Sequence, residues 1–256
     1  MRKFRSNPPL HRQSRPNNTM DASSFFGSAC ASPQPVGYWV RLSMTNSRSI
    51  SVELNLCLCG PDKLFELPFE GDREYIRACG IHQCLSALAL TRFGPGAFID
   101  SLTLRKVSRS QLRFSLQPIS AANGSFRIRV PGKSVAGWFV EAGSPISTRV
   151  SFDSAPLHHR MVKGPGFAQL PEPIHGYTPL QVMDGLAKAL ALEVDPARKW
   201  WFNQLELNTP LDPALDCEVR VRRVIERQFV LCELRQLGCL AGSLRVTAAS
   251  ASAPNR

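Results

Sequence analysis

The stretch His175-Gly176-Tyr177-Thr178-Pro179-Leu180-Gln181-Val182-Met183-Asp184 opens an apolar helix and places a carboxylate inside it. From about Pro179 to Glu193, apolar side chains recur at three- and four-residue steps around nearly the whole circumference of this predicted helix. Pro179 suits a first helical turn, where its missing N–H costs nothing, and Asp195-Pro196 predicts a turn after the helix. Asp184 therefore lies among apolar neighbours, where an unpaired charge is costly, so it needs a partner or a chemical role.

Strands are predicted after this helix, in four segments rich in apolar and β-branched residues. They span about residues 199–209, 216–225, 228–235 and 239–248. Polar and apolar residues alternate within Glu218-Val219-Arg220-Val221-Arg222, which indicates one buried and one solvent-exposed face. A long helix followed by an antiparallel meander predicts an α+β fold in which the sheet wraps the helix.

These residues, taken in order, carry a resemblance to a known family. The His175-Gly176 pair, Asp184 nine positions after the histidine, Asn203-Gln204-Leu205-Glu206-Leu207-Asn208 and Gly238-Cys239-Leu240-Ala241-Gly242 resemble a hotdog-fold thioesterase of the phenylacetyl-CoA thioesterase type. The resemblance covers about residues 174–250 and implies hydrolysis of an acyl thioester.

The resemblance also implies roles for particular residues. A backbone N–H beside His175, at Gly176 or Tyr177, would polarise the thioester carbonyl at the positive end of the helix dipole. Asp184 would activate water or attack the thioester directly. Tyr177 stands where the family usually has a second glycine, which is a departure from its pattern. The alternative for Asp184 is an ion pair with Lys188 at i+4, and the alternative for His175 is an ordinary loop histidine.

The first half of the chain repeats the same order of elements. Ala87-Leu88-Ala89-Leu90 recurs 102 residues later as Ala189-Leu190-Ala191-Leu192, and Leu102-Thr103-Leu104 recurs 103 residues later as Leu205-Glu206-Leu207. In this half a helix is predicted at about residues 73–92, followed by strands at 97–107, 111–117, 125–130 and 136–141. We therefore expect two fused hotdog units, at residues 37–145 and 146–250, after a basic and disordered segment at 1–36.

If the repeat is real, His82 occupies the position of Asp184, and one active site is expected rather than two. His82 or Gln83 would then complete a pocket centred on Asp184, whereas the alternative for His82 is a locally paired or exposed helix histidine. Known double-hotdog thioesterases carry Thr or Ser and then Gln on two of the later strands, but Trp200 and Val246 stand at the comparable places here.

Composition limits the ligands and partners. The net charge of +11 suits a ligand that bears phosphates, such as an acyl-CoA or an acyl carrier protein thioester, and Arg198 and Lys199 are candidate phosphate contacts. Nucleic acid is disfavoured because aromatic residues are not interleaved with the basic ones. No apolar run is long enough to span a membrane, so we expect a cytoplasmic protein. The eight cysteines match no zinc pattern and are expected to be reduced, with no metal and no cofactor.

Three functions stay open at this stage. The first is a thioesterase centred on Asp184. The second is a hotdog dehydratase for 3-hydroxyacyl thioesters, in which His82 and Asp184 would face each other. The third is a non-catalytic acyl-binding hotdog in a biosynthetic complex, and any of the three is compatible with a homodimer. They are distinguished by whether Asp184 faces a cavity with a raised pKa or is paired with Lys188.

Overall fold

Two helices of sixteen residues each lie against one large antiparallel sheet. The computed structural model describes residues 66–249 throughout and, before them, the backbone of three strands at 40–44, 50–54 and 62–65. The expectation for residues 1–36 lies outside the described residues. All described residues belong to one unit, Val36–Arg256.

The helices are α1 (Ala78–Phe93), α2 (Ala155–Arg160) and α3 (Pro179–Val194). The strands are β1 (Val40–Met44), β2 (Ile50–Leu54), β3 (Asp62–Phe65), β4 (Phe69–Glu70), β5 (Phe98–Leu104), β6 (Leu112–Ser115), β7 (Gly124–Val130), β8 (Lys133–Glu141), β9 (Arg149–Val150), β10 (Val162–Gly164), β11 (Phe167–Leu170), β12 (Trp200–Leu207), β13 (Cys217–Ile225), β14 (Phe229–Gln236) and β15 (Cys239–Ala248).

The large sheet has eleven strands in the order β10-β11-β13-β14-β15-β12-β5-β7-β8-β6-β3. α3 packs against β11 to β15, α1 packs against β5, and buried side chains from both helices and the sheet form one apolar core. Along β14 buried and half-buried residues alternate, as expected for a strand with one face on the core. The predicted α+β class is confirmed.

Helix α3 begins where its sequence supplies a complete cap. The Thr178 hydroxyl accepts from the Gln181 N–H at 3.2 Å, and the Gln181 side chain accepts from the Thr178 N–H at 2.9 Å, so two otherwise unpaired donors are satisfied. Pro179 occupies the first turn. Buried residues lie on nearly every side of the helix, Asp184 among them. The helix ends within one residue of its predicted end.

Helix α1 begins five residues later than the sequence predicts. Arg77 has extended backbone angles, with φ −75° and ψ 146°, and the N–H of Ile76 donates to the carbonyl of Ser108 at 2.9 Å. The segment before Ala78 is therefore bound to a neighbouring loop instead of continuing the helix. At the other end, Gly94 has φ +83° and its N–H donates to Leu90 at 2.9 Å, which closes the helix.

The centre of the sheet is the antiparallel pair formed by β5 and β12, which are the first strands after α1 and α3. Leu102 pairs with Leu205, and the flanking pairs are Ser101 with Glu206 and Thr103 with Gln204. The leucines of the predicted repeat therefore face each other across this seam.

The two sides of the seam differ in strand order. Beyond β12 the sheet continues through β15, β14 and β13, whereas beyond β5 it continues through β7, β8 and β6. Next to β12 lies β15, the last strand of its half, followed by β14. Next to β5 lies β7, and β8, the last strand of its half, comes only after it, so these two neighbours are exchanged between the halves. The boundary predicted at residues 145 and 146 falls between β8 and β9.

Candidate functional site

Asp184 lies in a buried ion-pair network that joins the two halves of the sheet. Its Oδ2 accepts from Lys188 Nζ at 2.7 Å and from an Arg77 guanidinium nitrogen at 3.0 Å, and the residue is 1% exposed. Burial raises the pKa of Asp184, but Lys188 and Arg77 outweigh burial and leave this pKa below its ordinary value. Asp184 is therefore an ionised carboxylate at neutral pH and does not serve as a proton-donating acid.

Arg77 is the centre of the network. Its guanidinium donates to Glu70 at 2.7 Å on one side and to Asp184 on the other, and it lies 4.1 Å from the centroid of the Phe152 ring. Glu70, Arg77, Asp184 and Lys188 thus form a chain of alternating charge. The stacked ring covers the guanidinium face and restricts its orientation.

Cys79 lies beside the same carboxylate. Its Sγ is 3.9 Å from Asp184 Oδ2 and 3.7 Å from the carbonyl oxygen of Leu180. Burial, together with the charge of Asp184, raises the pKa of the Cys79 thiol well above its usual range. This cysteine is therefore a neutral thiol that donates weakly to its neighbours.

A cavity of about 310 Å³ adjoins the network. Both halves of the sheet contribute to its wall, which is formed by Tyr75, Ile76, Arg77, Ala78, Leu104, Arg105, Lys106, Val107, Asp184, Lys188, Trp201, Phe202, Asn203, Thr247 and Ala249. Tyr75 and Trp201 pack against each other with ring centroids 4.6 Å apart. The wall thus combines apolar and aromatic surface with several cations and one carboxylate.

Three residues of the cavity wall have a buried polar atom without a hydrogen-bond partner in the described part of the chain. They are Asp184 through Oδ1, Arg77 through Nε and Thr247 through Oγ1. One is an acceptor, one is a donor and the hydroxyl can be either. Native proteins leave few such groups unpaired, so these three make the region around Asp184 the candidate site.

The structure does not bring the other predicted site residues to this cavity. His175 and Gly176 are exposed in the loop before α3. The N–H of Tyr177 donates to the Ile174 carbonyl at 3.3 Å, and its hydroxyl donates to the carbonyl of Asp153. An N–H that is already bonded within its own turn is a poor oxyanion donor. The oxyanion role that the resemblance implies for this loop stays a prediction.

His82 and Gln83 lie on α1 but are not part of the cavity wall. Ser86 Oγ is 3.4 Å from His82 Nδ1, and Nε2 is buried with no partner among the described residues. Burial lowers the pKa of His82 to about 4, so its imidazole is neutral at pH 7. Arg77 and Cys79, rather than His82, are the first-half residues that contact Asp184.

Arg198 and Lys199 are not part of the cavity wall either, although Lys199 is bonded to a wall residue. Arg198 Nε donates to Asp195 at 3.0 Å, and the Lys199 carbonyl accepts from Ala249 at 2.7 Å. The charge of Arg198 is therefore partly neutralised by its neighbour in the turn after α3.

The described residues form no metal site and no disulfide. No group of three or more His, Cys, Asp or Glu is arranged there to hold a metal ion. The cysteines of this part, which are Cys79, Cys84, Cys217, Cys232 and Cys239, are free thiols. No helix in the same part is long and apolar enough to cross a membrane.

Sequence signals explain part of the site. The i+4 ion pair between Asp184 and Lys188 is the alternative that the sequence left open for this carboxylate, since that spacing places both side chains on one helix face. The raised pKa expected of a catalytic Asp184 is not found, because the two cations lower it. Arg77 and Glu70 were missed because each belongs to an irregular or very short segment far from Asp184 in sequence. In sequence the two residues are only charged positions shortly before an apolar helix, and such positions are common on protein surfaces.

Comparisons with known proteins return structural similarities at low sequence identity. No family model matches the chain, and no curated protein matches it. The dehydratase domain of PpsC from Mycobacterium tuberculosis, solved with C12:1-CoA, shares 10% identity over 73% of this chain and 94% of that chain, with a TM-score of 0.41. A trans-AT polyketide synthase dehydratase domain from Brevibacillus brevis shares 8% identity over 74% and 93%, with a TM-score of 0.42.

A third solved structure is the pyran synthase domain from module nine of the sorangicin pathway. It shares 13% identity over 77% of this chain and 97% of that chain, with a TM-score of 0.41. Similarities at this level establish neither a fold family nor an activity for the chain, so the functional argument rests on the cavity.

Proposed function

We propose that the chain consists of two fused hotdog units and takes an acyl thioester into the cavity between them. The pairing of Leu102 with Leu205 supports this architecture, because it relates the first strand after α1 to the first strand after α3 by a local two-fold. A hotdog unit is an antiparallel sheet wrapped around a long helix, and each half supplies one such helix. The exchanged strand order in the first half indicates that the two units have diverged.

The observation that carries the proposal is the set of unpaired atoms at the cavity. Each buried polar group without a partner costs about 1–3 kcal/mol, which a bound ligand can recover. A thioester carbonyl matches Arg77, whose Nε–H can donate to its oxygen. Asp184 Oδ1 can then take a proton from C2, the carbon next to the carbonyl. Arg77 comes from the first half of the chain and Asp184 from the second.

Dehydration of a 3-hydroxyacyl thioester is the reaction these groups fit best. Asp184 Oδ1 removes the proton at C2, while Arg77 stabilises the negative charge that develops on the carbonyl oxygen. The C3–O bond breaks, the hydroxyl leaves as water with a proton from the Lys188 ammonium, and a C2=C3 double bond forms. The proton on Asp184 then returns to Lys188, which is its hydrogen-bond partner at 2.7 Å.

The electrostatics of Asp184 oppose a proton-donating acid and make its carboxylate a weak base. Its lowered pKa keeps the carboxylate ionised, and the two cations also reduce its basicity. In this proposal the barrier is therefore lowered mainly by Arg77 and by the proximity of the base, not by an unusually strong base. His82 has no part in the proton transfer.

Hydrolysis of the thioester is a second candidate, favoured by Thr247. Thr247 lines the same cavity, and its buried hydroxyl has no hydrogen-bond partner among the described residues, so it is a candidate to bind a water molecule that Asp184 Oδ1 would deprotonate. That water would attack the carbonyl carbon, and the thiolate would leave. The two reactions share a base and differ in product.

The test uses two substrates and two variants. Purified protein is given a 3-hydroxyacyl-pantetheine and a saturated acyl-pantetheine, and the conjugated enoyl thioester and the free thiol are measured separately. We expect enoyl product from the first substrate and a loss of about 10²–10⁴-fold in Asp184→Asn. Glu193→Gln, an exposed carboxylate on the same helix, is the matched control and should retain the wild-type rate.

Each other outcome has a definite meaning. Thiol release that depends on Asp184 would replace dehydration by hydrolysis. If a folded Asp184→Asn variant retains full activity, Asp184 is not the base. If the wild type neither binds nor converts the thioesters, the proposal is wrong.

A further inference from the structure

We propose that Tyr177 is a positioning residue for Arg77 and that it acts through the ring of Phe152. Residues 148–153 form a strap that carries Phe152 to the guanidinium of Arg77. Neither Tyr177 nor Phe152 is part of the cavity wall. The inference rests on the proposed function, in which Arg77 polarises the substrate carbonyl, and it adds the residues that hold this cation in place.

The strap is bonded along its first part to the segment that precedes Arg77. β9 pairs in parallel with β4, and the Gly71 N–H donates to the Val150 carbonyl at 2.8 Å. The Arg149 guanidinium donates to the carbonyl of Gly71 and, at 3.0 Å, to that of Arg73. Backbone and side-chain hydrogen bonds therefore fix the strap as far as Val150.

Tyr177 contacts the remaining part of the strap. Its hydroxyl donates to the carbonyl of Asp153, the residue that follows Phe152. Its ring also meets the Phe152 ring edge to face, with centroids 5.9 Å apart and the planes at 78°, which is a favourable arrangement for two aromatic rings. The Tyr177 backbone is itself fixed, because its N–H donates to the Ile174 carbonyl at 3.3 Å. One side chain thus holds both the ring of Phe152 and the backbone next to it.

Phe152 in turn restricts the orientation of Arg77. The guanidinium carbon lies 4.1 Å from the centroid of the Phe152 ring, where a cation is attracted to the ring face. The two terminal nitrogens of Arg77 donate to Glu70 and Asp184, so Nε is the nitrogen that the described residues leave for a ligand. Rotation of the guanidinium would turn Nε–H away and weaken the ion pair with Asp184. The geometry of the proposed carbonyl donor therefore depends on the ring.

The same contacts account for the identity of Tyr177. This residue stands where the resembled family usually has a second glycine, and a glycine has neither a ring nor a hydroxyl. The departure from the family pattern therefore supplies two contacts that glycine cannot make.

The experiment compares variants that remove and restore these contacts. Tyr177→Gly removes the ring and the hydroxyl, Tyr177→Phe removes only the hydroxyl, Phe152→Leu removes the stacked ring and Phe152→Tyr restores one. The matched control is Phe93→Leu, because this half-buried ring also lies beside an arginine but is not part of the cavity wall.

Two quantities are measured on each variant after near-UV circular dichroism has established that it is folded. The first is the pair kcat and KM with the 3-hydroxyacyl-pantetheine. The second is the pKa of Asp184, followed by ¹³C NMR of protein with ¹³C-labelled aspartate and assigned by the signal that Asp184→Asn removes.

We expect Tyr177→Gly and Phe152→Leu to lower kcat by about tenfold and to change KM by less than about threefold, because a misplaced group stabilises the transition state less without weakening ground-state binding. Tyr177→Phe should fall between Tyr177→Gly and the wild type, and Phe152→Tyr should retain most of the wild-type kcat. The pKa of Asp184 should rise in Tyr177→Gly and Phe152→Leu, since a less firmly held Arg77 lowers it less. The control should match the wild type in both measurements.

Other results would contradict the inference. If Tyr177→Gly and Phe152→Leu lose stability in urea but keep the wild-type kcat and pKa of Asp184, the strap is merely structural. A raised KM at unchanged kcat would place the two residues in substrate binding and would also overturn the inference. If the wild type converts no thioester, the proposed function is wrong and the pKa of Asp184 decides alone: a rise in Tyr177→Gly supports the positioning of Arg77, and an unchanged pKa overturns it.

Discussion

Replacing Arg77 by methionine tests whether the buried network is held by its central cation. Arg77→Met keeps much of the apolar stem but removes the charge that lies between Glu70 and Asp184, both of which are buried. Glu70 then has no cation within ion-pair distance among the described residues, and Asp184 retains only Lys188. Removing one partner of a buried ion pair typically costs 3–5 kcal/mol, so we expect a loss of about 4 kcal/mol at pH 7.

The comparison variant is Lys188→Met. Lys188 is partly exposed, with 24% of its side chain accessible, and its loss leaves Asp184 bonded to Arg77. We therefore expect a smaller cost of about 1–2 kcal/mol. Urea unfolding followed by tryptophan fluorescence measures the difference. The free energy of unfolding falls with urea concentration at a slope of about 3 kcal/mol per molar for a chain of this size. The urea midpoint of Arg77→Met should therefore fall by about 1–2 M.

The pH dependence of this loss follows from the direction of the pKa shift. The pKa of Asp184 is lower in the folded state, so its contribution is present above the unfolded pKa of about 4 and is lost as the pH falls through the folded value. Removing Arg77 raises this folded pKa, so the cost of the substitution should shrink as the medium becomes acidic. Equal costs for the two variants, or a cost of Arg77→Met independent of pH, would refute the reasoning.

Two further predictions concern packing and reactivity. Cys239 is exposed, whereas Cys79 is buried and its thiol has a strongly raised pKa. Iodoacetamide should therefore alkylate Cys239 in the native protein and reach Cys79 only after unfolding, which mass spectrometry of digested samples measures. Early labelling of Cys79 would contradict its buried position. A Cβ added at Gly124 would collide with Phe139 and with the backbone oxygen of Thr103. Gly124→Ala should therefore destabilise the protein by about 3 kcal/mol in the same urea assay, whereas Gly185→Ala should stay within about 1 kcal/mol of wild type. Equal midpoints for the two variants would show that the β5–β7 pairing adjusts to the added methyl group.

The elements themselves were largely predictable because they depend on local patterns. Thr178, Pro179 and the apolar periodicity that follows define α3 to within one residue of its predicted end. The four strands after α3 fall within two residues of their predicted ends, whereas β9, β10 and β11 before it were not predicted. The start of α1 was misplaced because its true boundary depends on a hydrogen bond from Ile76 to a distant loop, which no local pattern records.

The site was only half predictable. Asp184 stood out because a carboxylate in an apolar helix requires an explanation, and its i+4 partner Lys188 was visible from spacing. The emphasis on His175 and Tyr177 came from a resemblance, and neither residue is part of the cavity wall.

The sequence by itself determined the α+β elements, the helix that buries Asp184 and the near-repeat of 102 to 103 residues, since each depends on side-chain periodicity and caps within a short window. Only the tertiary structure decided which charges meet. The pairing of β5 with β12 brings the two halves together, and Arg77 reaches Asp184 across 107 positions of sequence. Ion pairs between such distant segments depend on packing and on the dehydration of both partners, and these arise only when the whole sheet has formed.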